Sequence, residues 1–184
     1  REMLAQEGYA ATTMRSLADR AKVAPGTLYN LYSSKDELMM AAVEEVLDGL
    51  VTRAVEQSTP GLDRLLVLSE TRAANIVSQP EYAEAMARAL FRAEPEDPLT
   101  SLLYARSLPL YVYQIEVAIA DGDLAEGSDA DKLSRHLQAQ QWGVIMAWVM
   151  GIFELADVAK EYTRSQIMVL LSAATAKGKR RLNE

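Results

Sequence analysis

Cysteine is absent and histidine occurs once, at His136. The first absence excludes disulfides, cysteine zinc sites, iron–sulfur clusters and thiol nucleophiles. The second excludes a histidine metal cluster or a His–His relay within one chain. Long apolar runs are missing too. The longest, Trp142 to Phe153, is interrupted by Gly143 and Gly151 and falls short of the ~20 residues that cross a bilayer. No segment reads as a secretory leader, so a cytoplasmic protein with no membrane partner is expected. Positive charge is scarce: 19 Lys and Arg stand against 26 Asp and Glu, a net of −7. That balance argues against a general polyanion-binding surface. Also lacking are a glycine-rich phosphate loop, a Glu-x-x-His pair and a nucleophile with a nearby histidine. Neither an enzyme nor a cofactor is therefore expected, and His136 reads as a partly exposed helix residue.

What is present is apolar and helical. Of 184 residues 49% are hydrophobic, and a chain of this size buries roughly 70% of its unfolded surface. No stretch alternates with period 2 for long enough to be a strand. The 9 glycines and 6 prolines fall mostly between segments of helical period. An all-α fold of about nine helices follows. The first helix should stop at Gly8, and Thr12 or Thr13 should cap a second. A turn at Lys22–Val23–Ala24 leads to a third, from Pro25 to about Tyr32. Ser34 to Glu37 reads as a capping box for a long helix to about Gln57. Thr59-Pro60 should open a helix to about Ser78, and Pro80 one to about Ala93. Pro98 to Ala120 should be helical, with Pro109 a kink. A helix from about Ser128 to Ala159 and a last one capped by Thr163-x-x-Gln166 complete the set. The basic tail Lys177 to Arg181 reads as a solvated, frayed end.

Residues 12–35 carry the most information. They read as a helix-turn-helix: two short helices crossing steeply through a tight turn, locked by Leu17, Ala18, Ala21, Val23 and Leu28. The second helix of such a pair can enter the DNA major groove. Ala24, Pro25, Gly26 and Thr27 are small enough for close approach, and Tyr29 and Asn30 offer a hydroxyl, a flat ring and an amide for base edges. Charge agrees. Between positions 15 and 35, Arg15, Arg20, Lys22 and Lys35 face only Asp19, a local positive strip on an acidic chain. Lys35 and the first amides of the fourth helix form an expected phosphate clamp.

Leu4 to Val43 resembles the DNA-binding domain of TetR-family transcriptional regulators. The matching residues are Gly8-Tyr9, Thr12-Thr13, Leu17-Ala18, Val23, Gly26-Thr27-Leu28-Tyr29, Tyr32, Ser34-Lys35 and Leu38. The resemblance implies a helix-turn-helix domain over 1–46, its arm and part of its first helix preceding Arg1, and a helical ligand-binding and dimerisation domain over 47–184. It implies a homodimer on a palindromic double-stranded DNA operator, usually a repressor released by a small molecule. Thr13 and Arg15 would then meet phosphate and base edges, and Ala24, Pro25, Gly26, Thr27, Tyr29 and Asn30 would read the sequence, with Lys35 the clamp. Tyr32 stands where the family has a packing aromatic. Two positions depart from the pattern. Lys22 replaces a frequent turn glycine, so that turn either avoids a positive φ or strains Lys22. Leu31 either meets a thymine methyl or packs.

The later helices hold two further sets. Ala139, Gly143, Ala147 and Gly151 place a small residue every four positions, letting another helix come close. With Trp148, Ile152, Ile167, Leu170, Leu171 and Ala174 they form the expected dimer interface. Met86, Leu90, Tyr104, Leu108, Tyr111, Gln138, Gln141, Trp142 and Ile145 combine apolar walls with a few polar groups, the make-up of a pocket for a largely apolar effector. Arg72 or Arg106 would meet an acidic group on it. A weak similarity of this layout to regulators of lipid or steroid breakdown implies a lipid-, acyl- or steroid-like effector. The alternatives are a helical adaptor of the same fold that has lost DNA binding, and a helical-bundle enzyme.

Overall fold

A computed structural model describes residues 1–91 and 98–183. Among these residues the chain forms ten helices: α1 Glu2–Ala11, α2 Met14–Ala21, α3 Pro25–Leu31, α4 Lys35–Gln57, α5 Leu62–Ser78, α6 Pro80–Leu90, α7 Pro98–Ala120, α8 Ala130–Val149, α9 Leu155–Leu171 and α10 Ala176–Leu182. The expected end of α6 at Ala93 lies outside the described residues. The fold is all-α, with one isolated antiparallel bridge between Leu124 and Ala174. Two compact units result: Arg1–Asp48 with Gln79–Leu103, and Gly49–Ser78 with Tyr104–Glu184.

In the first unit, Leu4, Met39, Val43, Tyr82 and Met86 bury one core, flanked by Tyr9, Leu47, Leu90 and Leu103. This core joins α1 and α4 to α6. A second cluster, Met14, Ala18 and Leu28 with Leu17, Tyr32 and Leu38, locks α2 to α3. Tyr32 therefore packs, as its position implied. Ala21 and Val23, expected in that lock, are exposed instead, because the two helices meet through α2's Met14–Ala18 face. Gly8 does not end α1. It takes φ 75° and ψ 168° and breaks the helix locally, after which one more turn forms, and the Thr12 hydroxyl donates to the Gly8 carbonyl at 2.9 Å.

In the second unit, Leu62, Leu65, Tyr111, Ile115, Ala118, Leu124, Leu137, Leu170 and Leu182 form the core. Several expected boundaries move. The α5 helix begins at Leu62, two residues past Pro60, because Gly61 turns the chain at φ 91°. The Gly61 N–H donates to the buried Gln114 Oε1 at 2.9 Å. The α8 helix stops at Val149 rather than near Ala159. Gly151 adopts φ 76°, Ile152 N–H donates to Ala147 O and Gly151 N–H to Trp148 O, both at 2.8 Å. That paired pattern is a Schellman stop, so Gly151 and Ile152 lie past the helix and not on its small-residue stripe. Thr163 and Gln166 sit inside α9 and cap nothing: Gln166 is buried and its Nε2 donates to the Leu137 carbonyl at 3.1 Å.

The basic tail is the largest departure. It is not frayed: Lys177 to Arg181 lie in α10, capped by Thr175, whose Oγ1 accepts from Gly178 N–H. Arg181 bonds both Asp63 and the fully buried Asp123, and Lys177 pairs with Asp123 at 3.1 Å.

Candidate nucleic-acid interface

The helix-turn-helix is built from local rules. Thr13 caps α2 in a reciprocal box: its Oγ1 accepts from Ser16 N–H at 3.1 Å, and its own N–H donates to Ser16 Oγ at 3.0 Å. Thr13 thus satisfies helix-end amides as a capping box does. The turn closes as Val23 N–H donates to Ala18 O at 3.0 Å and Lys22 N–H to Asp19 O at 3.2 Å. Lys22 holds the left-handed conformation, φ 57° and ψ 40°. Of the two readings of that turn, strain on a non-glycine residue is the one found.

The α3 helix has a proline at its first turn, which suits the fixed φ of that position. Only Leu28 of its seven residues is buried. Ala24, Pro25, Gly26, Thr27, Tyr29 and Asn30 all face solvent, and Tyr29 is 55% exposed. A Cβ on Gly26 would meet nothing within 4 Å, so the protein's own packing does not require glycine there. Leu31, at 67% exposure, does not pack either. The result is a helix that shows a groove-binding partner nearly its whole side, with small residues at its start.

Cations flank this surface unevenly. Arg15 and Lys22 are exposed. Arg20 pairs with Glu2 at 3.0 Å, a solvent-exposed contact of small energetic weight. Lys35 is tied back: its Nζ donates to the Tyr9 carbonyl at 2.9 Å and lies 3.9 Å from the Tyr9 ring centre. The start of α4 also differs from a reciprocal capping box. Ser34 Oγ accepts from Glu37 N–H at 3.1 Å, but the Glu37 carboxylate accepts from the N–H and hydroxyl of Ser33 at 2.6 and 2.5 Å. Those bonds hold the Glu37 carboxyl below its ordinary pKa. A fixed negative charge thus stands where the sequence places a phosphate clamp, and Tyr9 is a partner of Lys35 that sequence spacing does not reveal.

The effector candidates fall in both units. Met86 and Leu90 belong to the first, Met86 as a core residue; the other seven belong to the second. There Tyr111, Gln138 and Gln141 are buried, Leu108, Trp142 and Ile145 half-buried, and Tyr104 exposed. A polar chain runs through them. Arg72 donates to Gln141 Oε1 at 3.0 Å, and Gln141 Nε2 donates to the Tyr111 hydroxyl at 2.5 Å and to Gln166 Oε1 at 3.2 Å. Sequence reasoning misses Gln166 as part of this chain because its spacing from Thr163 imitates a cap.

The interface candidates also divide. Leu170 is 1% exposed and turned into its own core, with Ile167, Leu171 and Ala174 packed against that cluster. Gly143, Gly151 and Ile152 are exposed and Ala147 and Trp148 half-buried. Met150 and Met168, outside the set expected from sequence, are 67% and 64% exposed.

An exposed, closely approachable second helix behind a capped first one, with cations at the turn, is the reading head of a helix-turn-helix DNA-binding protein. Residues 1–42 match the family of bacterial regulatory proteins described as the tetR family. The chain is 25% identical over 172 residues to the HTH-type transcriptional repressor KstR2 of Mycolicibacterium smegmatis, covering 87% of this chain and 81% of that one. It is 39% identical over 92 residues to the repressor KstR of Rhodococcus jostii, covering 47% and 42%. In fold it is similar to the regulator FadR from Bacillus subtilis, solved with stearoyl-CoA, with a TM-score of 0.76 at 18% identity and 95% of each chain covered. It is also similar to the ketosteroid regulator KstR2 of Mycobacterium tuberculosis, with a TM-score of 0.58 at 22% identity, covering 95% and 90%. Residues 1–42 thus match the tetR-family DNA-binding region, and the similarity of the chain to named transcriptional repressors supports a TetR-family transcriptional regulator. No helix among the described residues is long and apolar enough to cross a membrane.

Proposed function

We propose that this regulator is a cytoplasmic homodimeric repressor of a palindromic operator, released by a small, largely apolar effector. In this reading residues 1–46 bind DNA and 47–184 bind the effector and the second copy. The observation that carries it is the outward face of α3, with Gly26, Thr27, Tyr29 and Asn30 unclaimed by the protein's own packing. Thr13, Arg15, Ala24, Pro25 and Lys35 complete the DNA-contacting set. Two reading heads related by a two-fold axis fit half-sites ~34 Å apart.

The relatives support a reading of the effector class. KstR and KstR2 are named repressors, one of them a ketosteroid regulator, and the FadR structure holds stearoyl-CoA. An acyl or steroid skeleton is therefore the first class to try, against Tyr104, Leu108, Tyr111, Gln138, Gln141, Trp142 and Ile145 of the second unit. The exposed faces of Gly143, Ile152, Met150 and Met168 support a contact between copies, with Trp148 and Ala147 beside them. To lower operator affinity a hundredfold, the effector needs ~2.8 kcal/mol of preference for the non-binding conformer.

The test is selection of duplexes bound by the full chain, followed by gel shift at two salt concentrations with and without acyl and steroid acids and thioesters. Sequence-selective, salt-dependent binding by a dimer is expected. A monomer, or equal affinity for all duplexes, would refute the reading.

A further inference from the structure

Arg72 brings a positive charge into the second unit, where the partners it meets are neutral. It donates to Gln141 Oε1 at 3.0 Å and to Ser107 Oγ at 3.5 Å, and its guanidinium lies 5.2 Å from the Tyr111 ring centre. Its Nε–H is buried without an acceptor among the described residues. Tyr162 also faces it, but burial pushes that phenol far up, against the pull of Arg72, so Tyr162 stays neutral. Among the described residues no carboxylate pairs with this half-buried guanidinium, and a partly desolvated charge without a counter-ion is costly to the fold.

More unsatisfied atoms lie close by. Ser69 precedes Arg72 by one turn of α5, and Gln138 precedes Gln141 by one turn of α8, so each pair shares a helix face. Ser69 is 1% and Gln138 3% exposed, yet Ser69 Oγ, Gln138 Nε2 and Gln138 Oε1 have no partner among the described residues. Buried polar groups are nearly always bonded. With Arg72 Nε, four orphaned atoms lie on the two helical turns that meet at the Arg72–Gln141 bond. The surroundings are apolar: Tyr111 shares its core with Leu65, Ile115 and Leu137.

We propose that Arg72, aided by Gln138 and Ser69, anchors the carboxylate of a monoanionic, otherwise apolar acid, forming the head-group subsite of the effector pocket. This rests on the effector-released reading above. One half-buried cation balances one negative charge, and the guanidinium fork matches a carboxylate with two parallel bonds. The Gln138 amide and the Ser69 hydroxyl add two donors. A coenzyme A thioester is the poorer fit: its acyl carbonyl is neutral, and its several phosphate charges exceed what a single arginine offsets.

The experiment titrates the full chain with stearate and a cholane carboxylic acid, each beside its neutral alcohol and its coenzyme A thioester. Calorimetry and operator release are read together. At least one acid should bind the wild type about tenfold more tightly than its alcohol. Arg72→Met should weaken that acid about thirtyfold and leave the alcohol unchanged, with Arg72→Lys intermediate. Arg72→Met also orphans the buried Gln141 Oε1 that Arg72 serves, so a lower melting temperature is expected in either role; a loss of affinity confined to the acid is the readout that a merely structural arginine would not give. Gln138→Leu, a second variant that leaves the cation in place, should weaken the acid about threefold to tenfold. Undiminished acid binding by Arg72→Met, or acid and alcohol binding alike, overturns the subsite. Release by a thioester that ignores Arg72→Met overturns the subsite and leaves the effector reading standing. Failure of every probe to bind or release overturns both.

Discussion

The Lys35 ammonium lies 3.9 Å from the centre of the Tyr9 ring and donates to the Tyr9 carbonyl at 2.9 Å, tying the first turn of α4 to the end of α1. A lysine ammonium has three donors, so this brace leaves capacity for a phosphate. Lys35→Met should cost about 1–2 kcal/mol in denaturant unfolding, the sum of a cation–π interaction and a charge-assisted bond. If Lys35 also touches DNA, the same variant should flatten the slope of log affinity against log salt by about 1. A loss of stability with an unchanged slope would make Lys35 a brace alone and remove it from the DNA-contacting set.

Lys22 turns the chain at φ 57°, a conformation that costs a side-chain-bearing residue about 1–2 kcal/mol. Lys22→Gly should therefore raise stability by about 0.5–1 kcal/mol, while Lys22→Val, branched at Cβ, should lower it by about 1 kcal/mol or more. Matched denaturation midpoints check both. Equal midpoints for the glycine and valine variants would mean that the turn does not hold this geometry in solution.

Tyr29 and Asn30 face solvent, so replacing either with alanine should leave stability within about 0.5 kcal/mol. Sequence-selective affinity should fall by about 1–3 kcal/mol for each base that is no longer read, with binding to non-specific duplex little altered. Thr13→Ala should behave differently, because its hydroxyl caps α2, and should cost about 1 kcal/mol of stability. Gel shifts and thermal melts on the same three proteins separate the roles. If Tyr29→Ala and Asn30→Ala retain full selectivity together, α3 is not the reading helix.

What is legible in the sequence follows from local rules. Thr13 capping α2, Pro25 opening α3 and the apolar faces that place Ala18 and Leu28 in one cluster each depend on residues a few positions apart. What is not legible depends on distant partners. Gly151 reads as one more small residue on a stripe until its φ of 76° ends the helix. Gln166 resembles a cap until it reaches the Leu137 carbonyl, 29 positions away. Lys35 reads as a free cation until Tyr9, 26 positions back, takes it up. The tail Lys177 to Arg181 looks solvated because its carboxylate partners, Asp63 and Asp123, are far off in sequence.

That tail yields the sharpest stability prediction. A Cβ built on Gly178 would stand 2.0 Å from the Asp123 carbonyl oxygen, a backbone atom that cannot rotate aside. Gly178→Ala should therefore undock α10 or cost about 3 kcal/mol or more. Arg181→Gln removes the shared partner of Asp63 and of the fully buried Asp123 and should cost about 2 kcal/mol or more, since one buried charge loses its best donor. Lys177→Ala should cost less, about 1 kcal/mol at most, because that ammonium is half exposed and screened by water. Denaturant unfolding of the three variants should rank them in that order. A Gly178→Ala protein as stable as the parent would show that α10 does not dock on Asp123 in solution.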